Sequence, residues 1–218
     1  MLERSNLRAM KAIERIPGSI ASLPELRVLS GLTTPRRVQD FLDTMPINHE
    51  REGETCSSPL VTLRRGTAHC MEGGLIAALA LWMNGEPPLV MNLETARNDV
   101  PHLVTLFKVD GYWGGITKTN HAVLRYREPI FRDLRELAAS YFHEYTLPDG
   151  RKTLRAYSVP FDLRRYPHEW ITTAEPLWDL DRRLEQLRHY RLVNRKQIAR
   201  LRRADAIEIE AGKLIEWD

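Results

Sequence analysis

Thr67-Ala68-His69-Cys70-Met71-Glu72-Gly73-Gly74-Leu75-Ile76-Ala77-Ala78-Leu79-Ala80-Leu81-Trp82 sets a cysteine at the mouth of the most apolar helix the chain encodes. Leu75 to Met83 carries no charge and is rich in Ala and Leu, so it reads as a buried helix that Asn84-Gly85 and Pro87-Pro88 terminate. Thr67 is the expected cap, and the helix starts near Cys70. A thiol there faces unpaired backbone N–H groups and the positive end of the helix dipole, which favour thiolate and nucleophilic behaviour. The bland alternative is a buried structural cysteine.

Moving outward, Thr34-Pro35 gives a cap followed by proline in the first turn. Val38, Phe41, Leu42 and Met45 follow at helical spacing until Pro46. Upstream, Pro17-Gly18 and Pro24 cut residues 1–33 into one short helix and an irregular wrap. Residues 47–59 are polar and turn-rich, with Cys56 in a loop. After the cysteine helix come β-like runs over Leu89–Leu93, His102–Lys108, Tyr112–Ile116 and Ala122–Tyr126, and Asp110-Gly111 marks a tight hairpin. Helices first and antiparallel strands second make an α+β order, not the alternation of a doubly wound sheet. Phe131–Tyr145 returns to helix. The aromatic, proline-rich stretch 151–178 is expected to wrap the core, Asp179–Arg203 reads as a basic helical extension, and 206–217 as a small acidic hairpin. The domain reading is thus an N-terminal wrap over 1–33, a core over 34–150 and a C-terminal wrap and extension over 151–218, all within one compact domain.

Composition narrows the function. With 218 residues and 43% hydrophobic content the chain can bury a proper core. Two cysteines are too few for a secreted disulfide framework, and Glu3, Arg4, Arg8 and Lys11 stand where an apolar signal segment would be, so the reading is cytoplasmic. The longest apolar run is roughly half a membrane span, and no membrane partner is expected. A net charge of +3 neither requires nor excludes nucleic acid.

A cysteine nucleophile needs a base and a polar group to hold that base. His102 opens an apolar strand just after Pro101, and Asn120 ends the returning hairpin strand. In a tight hairpin those two ends are neighbours. Cys70, His102 and Asn120 are therefore the candidate catalytic residues. This order resembles the transglutaminase-like superfamily over Arg64–Arg127, through Gly66-Thr67-Ala68-His69-Cys70, the Gly85 exit into a strand, and His102 followed by Val104, Leu106 and Asp110-Gly111-Tyr112-Trp113. The resemblance implies a papain-like fold and a Cys-His-Asp triad working through a thioester, with Cys70 as nucleophile and His102 as base. Its substrates would be proteins, peptides or small amides. The third position departs from that pattern: after Trp113 the chain reads Gly114-Gly115-Ile116-Thr117-Lys118-Thr119-Asn120-His121 without an acid, so Asn120 is the orienter the sequence offers.

Three rivals stand beside this reading. Zinc could draw on His69, Cys70, His102 and His121, but none has a tight ligand spacing, so no metal and no cofactor are expected. The basic Asp179–Arg203 segment suggests nucleic acid, yet no interleaved aromatics stand ready to stack bases, and a solvated helical face is preferred. A catalytically inactive scaffold or interaction protein is the third. Gly73 and Gly74, costly inside a helix, imply close backbone approach, and Glu72 is read as a charge at the positive helix end.

Overall fold

The computed structural model describes residues 16–216, and it is α+β, as the sequence predicts. Short helices α1 (Gly18–Ala21) and α2 (Arg27–Ser30), then α3 (Pro35–Thr44) and α4 (Pro59–Arg65), precede the cysteine helix α5 (Cys70–Met83). Thr34 caps α3 as expected, its hydroxyl accepting from Arg37 N–H at 3.3 Å. Seven strands among the described residues follow: β1 (Leu89–Thr95), β2 (His102–Val109), β3 (Tyr112–Ile116), β4 (Arg127–Phe131), β5 (Leu154–Ser158), β6 (Phe161–Asp162) and β7 (His189–Arg191). They form one antiparallel sheet in the order β4-β3-β2-β1-β5-β7, with β6 also on β1. Helix α6 (Leu134–Ser140) lies between β4 and β5, and α7 (Trp178–Glu185), α8 (Arg195–Ile198) and α9 (Ala206–Gly212) complete the chain.

Strand alternation sorts the core into two layers. Leu103 and Phe107 on β2, Val90 on β1 and Ile116 on β3 pack with α5, buried from Met71 to Trp82, and with the N-terminal helices. Val104 and Leu106, with Met91 and Leu93, face the opposite side and pack with Leu137, Tyr141 and Tyr145. Helix α5 has no polar face because sheet and helices enclose it all round, with Leu75 to Ala80 at zero exposure.

The two glycines have a steric reason. A Cβ on Gly73 would lie 2.3 Å from Lys118 Cβ, and one on Gly74 would lie 2.9 Å from Leu103 Cδ2, so the helix start is pressed against β2 and the segment after β3. The hairpin turn is also as expected: Asp110 and Gly111 both have positive φ, 49° and 89°, between the paired Val109 and Tyr112.

Several expectations are corrected. Ala122–Tyr126 is not a strand; Thr117 Oγ1 donates to Leu124 O and Glu144 accepts from Leu124 N–H, which takes those backbone groups away from a ladder, and the strand begins at Arg127. The helix expected from Phe131 starts only at Leu134, where Asp133 caps it. Residues 151–178 do not merely wrap the core, since β5 and β6 both pair with β1. The single basic helix over 179–203 is broken, because β7 leaves α7 to complete the exposed edge of β5. Leu180 and Leu184 serve one core layer and Leu192 the other. The tail is helix α9 in place of a hairpin, started by an Asp205–Glu208 capping box. Cys56 lies in the loop the sequence predicts, but its side chain is part of the core, 2% exposed. The N-terminal charges Glu3 to Lys11 lie outside the described residues. No helix among the described residues is long and apolar enough to cross a membrane.

Candidate active site

Where the N-terminus of α5 meets the start of β2, a cleft of about 700 Å³ opens, and Cys70, His102 and Asn120 all line it. The cap of α5 is His69, not Thr67. Its Nδ1 accepts from Met71 N–H at 3.2 Å while Glu72 accepts from His69 N–H at 3.3 Å, a capping box with histidine in the place usually held by Ser or Thr. His69 Nε2 in turn lies 3.0 Å from Thr55 O. Both ring nitrogens are thus occupied, one at the helix start and one at the 48–57 loop.

Glu72 does more than favour a helix end. Its side chain is wholly buried and receives Thr55 Oγ1 at 3.0 Å, Ser57 N–H at 3.2 Å, Asn48 Nδ2 at 3.3 Å and the Arg65 guanidinium. Burial alone would raise its pKa; the Arg65 hydrogen bond, the His69 and Arg65 charges and Asn48 overcome this and hold it at about 2. A buried carboxylate with this many donors ties the 48–57 loop and α4 to the first turn of α5, and so positions Cys70.

Cys70 is a free thiol that keeps partial solvent access. Burial pushes its pKa up to about 11, against the N–H groups of Leu103, Met71 and Cys70 itself, which are directed at the sulfur and favour thiolate; Glu50 adds to the rise. The helix-mouth environment expected to ionise the thiol is present, and desolvation outweighs it. The contact with Leu103 N–H puts the sulfur beside the residue that follows His102. His102 is 7% exposed, and burial, with His121 adding to it, drives its pKa down to about 4. At neutral pH the resting pair is therefore thiol and neutral imidazole.

His102 Nε2 is buried with no hydrogen-bond partner, so Asn120 does not bond to it. Asn120 stands at the cleft wall with its backbone carbonyl accepting from Glu216 N–H at 2.7 Å. Asp99, three residues before His102, engages the Thr153 hydroxyl and, at 2.8 Å, Val100 N–H. His121 Nδ1 contacts Gly212 O at 3.2 Å. Lys118, fully buried, donates from Nζ to Met45 O at 2.6 Å. Tyr145 is a residue the sequence reading missed. It lines the cleft, is 4% exposed, and its hydroxyl is buried without a partner. Burial, then the proximity of Cys70, holds its pKa well above the usual value. As the last aromatic of the 131–145 segment it carries no sequence signal that sets it apart from a core residue.

The fold and cleft define an α+β protein with a free cysteine at the N-terminus of its core helix and a histidine at the adjoining strand start. No family model matches this chain, and no curated protein matches it in sequence. Among the solved structures that match is Legionella pneumophila LapG (EGTA-treated), at 15% identity and a TM-score of 0.31. The match covers 50% of this chain and 63% of that one.

Proposed function

We propose that the protein is a cysteine-dependent acyl-transfer enzyme of transglutaminase-like type, cleaving or transferring amide bonds through Cys70 and His102. The observation that carries this reading is the Cys70 sulfur at the start of a buried helix, in contact with the N–H of Leu103, the residue after His102, inside one cleft that Cys70 and His102 both line. With Nε2 enclosed, Nδ1 of His102 is the nitrogen that takes the thiol proton as sulfur attacks the carbonyl carbon. The tetrahedral oxyanion is met by Cys70 N–H at the start of α5. The amine leaves with the proton carried by His102, and water or an amine then resolves the thioester.

A second reading, an inactive scaffold that retains the fold, is favoured by the vacant seat behind His102 Nε2. Screening against a fluorogenic peptide-amide library separates the two. The enzyme reading predicts turnover that Cys70→Ala abolishes and His102→Ala lowers by about two to four orders of magnitude. Turnover that survives Cys70→Ala overturns Cys70 as the nucleophile, and an absence of turnover on every substrate supports the scaffold.

A further inference from the structure

Helix α9 and residues 213–216 form one side of the cleft without belonging to the core. Gly212 lines the cleft together with Asn120 and His121 of the segment after β3. The two stretches pair as a short antiparallel bridge, with His121 opposite Ile215. Ala122 N–H donates to Leu214 O at 2.8 Å, and Glu216 N–H donates to Asn120 O at 2.7 Å. His121 Nδ1 adds its contact with Gly212 O. The Glu216 side chain completes the closure: Arg125 Nη2 lies 2.7 Å from Oε1, and Lys118 Nζ lies 3.9 Å from Oε2. Arg125 grips both stretches, since its Nε also donates to His121 O at 2.9 Å. Burial lowers the pKa of Lys118, and Glu216, followed by Asp43, opposes that shift.

These attachments are polar. Helix α9 buries none of its residues, Ile207 is 77% exposed and Leu214 60%, and neither they nor Ile215 join either core layer. The last firm anchorage before α9 is Ala204, which is buried and donates its N–H to Gly150 O at 2.9 Å. Beyond it the ion pairs, Arg202 with Asp205 and Glu208 and Lys152 with Glu208, involve exposed carboxylates. Exposed ion pairs contribute little each, and a segment with few buried apolar contacts opens at far lower cost than the whole fold. The 48–57 side of the cleft is the opposite case, fastened by the buried Glu72 and by Cys56 in the core.

We propose that residues 205–216 are a strap that closes one side of the Cys70 cleft and opens, hinged after Ala204, to admit large molecules, with Glu216 as its clasp. The strap governs access to a thiol, so the inference holds whether or not Cys70 turns over a substrate.

The test is the rate at which fluorescein maleimide labels Cys70 in the full chain, read by peptide mapping so that Cys56 is followed separately. Glu216→Pro removes both the carboxylate and the N–H that reaches Asn120 O, and it should speed Cys70 labelling at least about fivefold while Cys56 stays slow. A second variant locks the strap. His121 and Ile215 face each other as a non-hydrogen-bonded pair, the closest spacing of an antiparallel bridge, so His121→Cys with Ile215→Cys can be joined by diamide. The joined form should label at Cys70 at least about fivefold more slowly than the same protein left reduced. Equal Cys70 rates in the parent, the Glu216→Pro protein and both forms of the locked variant overturn the inference. So does a Glu216→Pro gain shared by Cys56, which reports loosening of the whole fold.

Discussion

Glu72 and Asp181 are two carboxylates that both feel the imidazole of His69, and the chain treats them in opposite ways. Glu72 is sealed in and saturated with donors, which hold it at about 2. Asp181 is half-buried with no cation of its own, and burial, then Glu185, with Glu54 also contributing, raises its pKa while His69 opposes them. A saturated buried acid is a structural anchor; an unsatisfied acid facing a cleft is a cost in the free protein that a ligand can relieve. The first fixes the helix start that carries Cys70, and the second leaves a half-buried carboxylate on the cleft wall.

Glu72→Ala should break the comparison at its strong end. It strands the Arg65 charge and several N–H and hydroxyl donors, and urea unfolding should show a loss of about 3–5 kcal/mol. A loss below about 1 kcal/mol would mean the network does not hold α5. Acid should act on the same anchor and on the site beside it. His102 is held neutral in the fold with its pKa near 4, below its ordinary 6.5, so the unfolded chain binds the extra proton first as pH falls. Stability contributed by the neutral imidazole is complete above pH 6.5 and is lost between there and pH 4, by up to about 3 kcal/mol. Glu72, lowered from 4.5 to about 2, adds a second loss as pH falls through that window. His102→Gln should flatten the first slope and leave the second, read from urea midpoints across pH.

Gly73→Ala tests the seat of α5 against Lys118. The added methyl meets a lysine side chain anchored on Met45 O, and the variant should lose about 1–2 kcal/mol by thermal melting even though alanine is the better helix former. The smallest effect is expected at the other carboxylate. The folded pKa of Asp181 is raised, so the ionised form opposes folding as pH rises above the ordinary 3.8; Asp181→Asn should be neutral or stabilising at pH 7, by no more than about 1 kcal/mol. Clear destabilisation would show that Asp181 is a structural acid like Glu72.

What the sequence makes legible follows from the range of the forces involved. Helix α5, the β2–β3 hairpin and α3 are local patterns, an uncharged Ala/Leu run, an Asp-Gly turn and a Thr-Pro cap, and each can be read within its own window. The anchoring of α5 is half legible, because Glu72 stands three residues after His69 as a capping box requires, but a histidine cap is not the residue usually sought there. Asp179–Arg203 misleads because leucines spaced for a helix also fit a helix, a strand edge and a turn serving two core layers. The enclosure of His102 Nε2 and the nearness of Glu54 to Asp181 are matters of three-dimensional position, and nothing in one-dimensional spacing records them. Desolvation of Cys70 is likewise tertiary: the local rule at a helix N-terminus points to thiolate, and the surrounding core reverses it.

The central claim is that Cys70 carries an acyl group under the influence of His102. Intact-mass and peptide-mapping spectrometry after brief exposure to p-nitrophenyl acetate tests it most directly. The account predicts one acetyl group on Cys70, absent in Cys70→Ala, formed much more slowly in His102→Ala, and rising with pH along the His102 titration near 4 instead of the thiol titration near 11. Acetylation that avoids Cys70, or that proceeds at the same rate without His102, would contradict it.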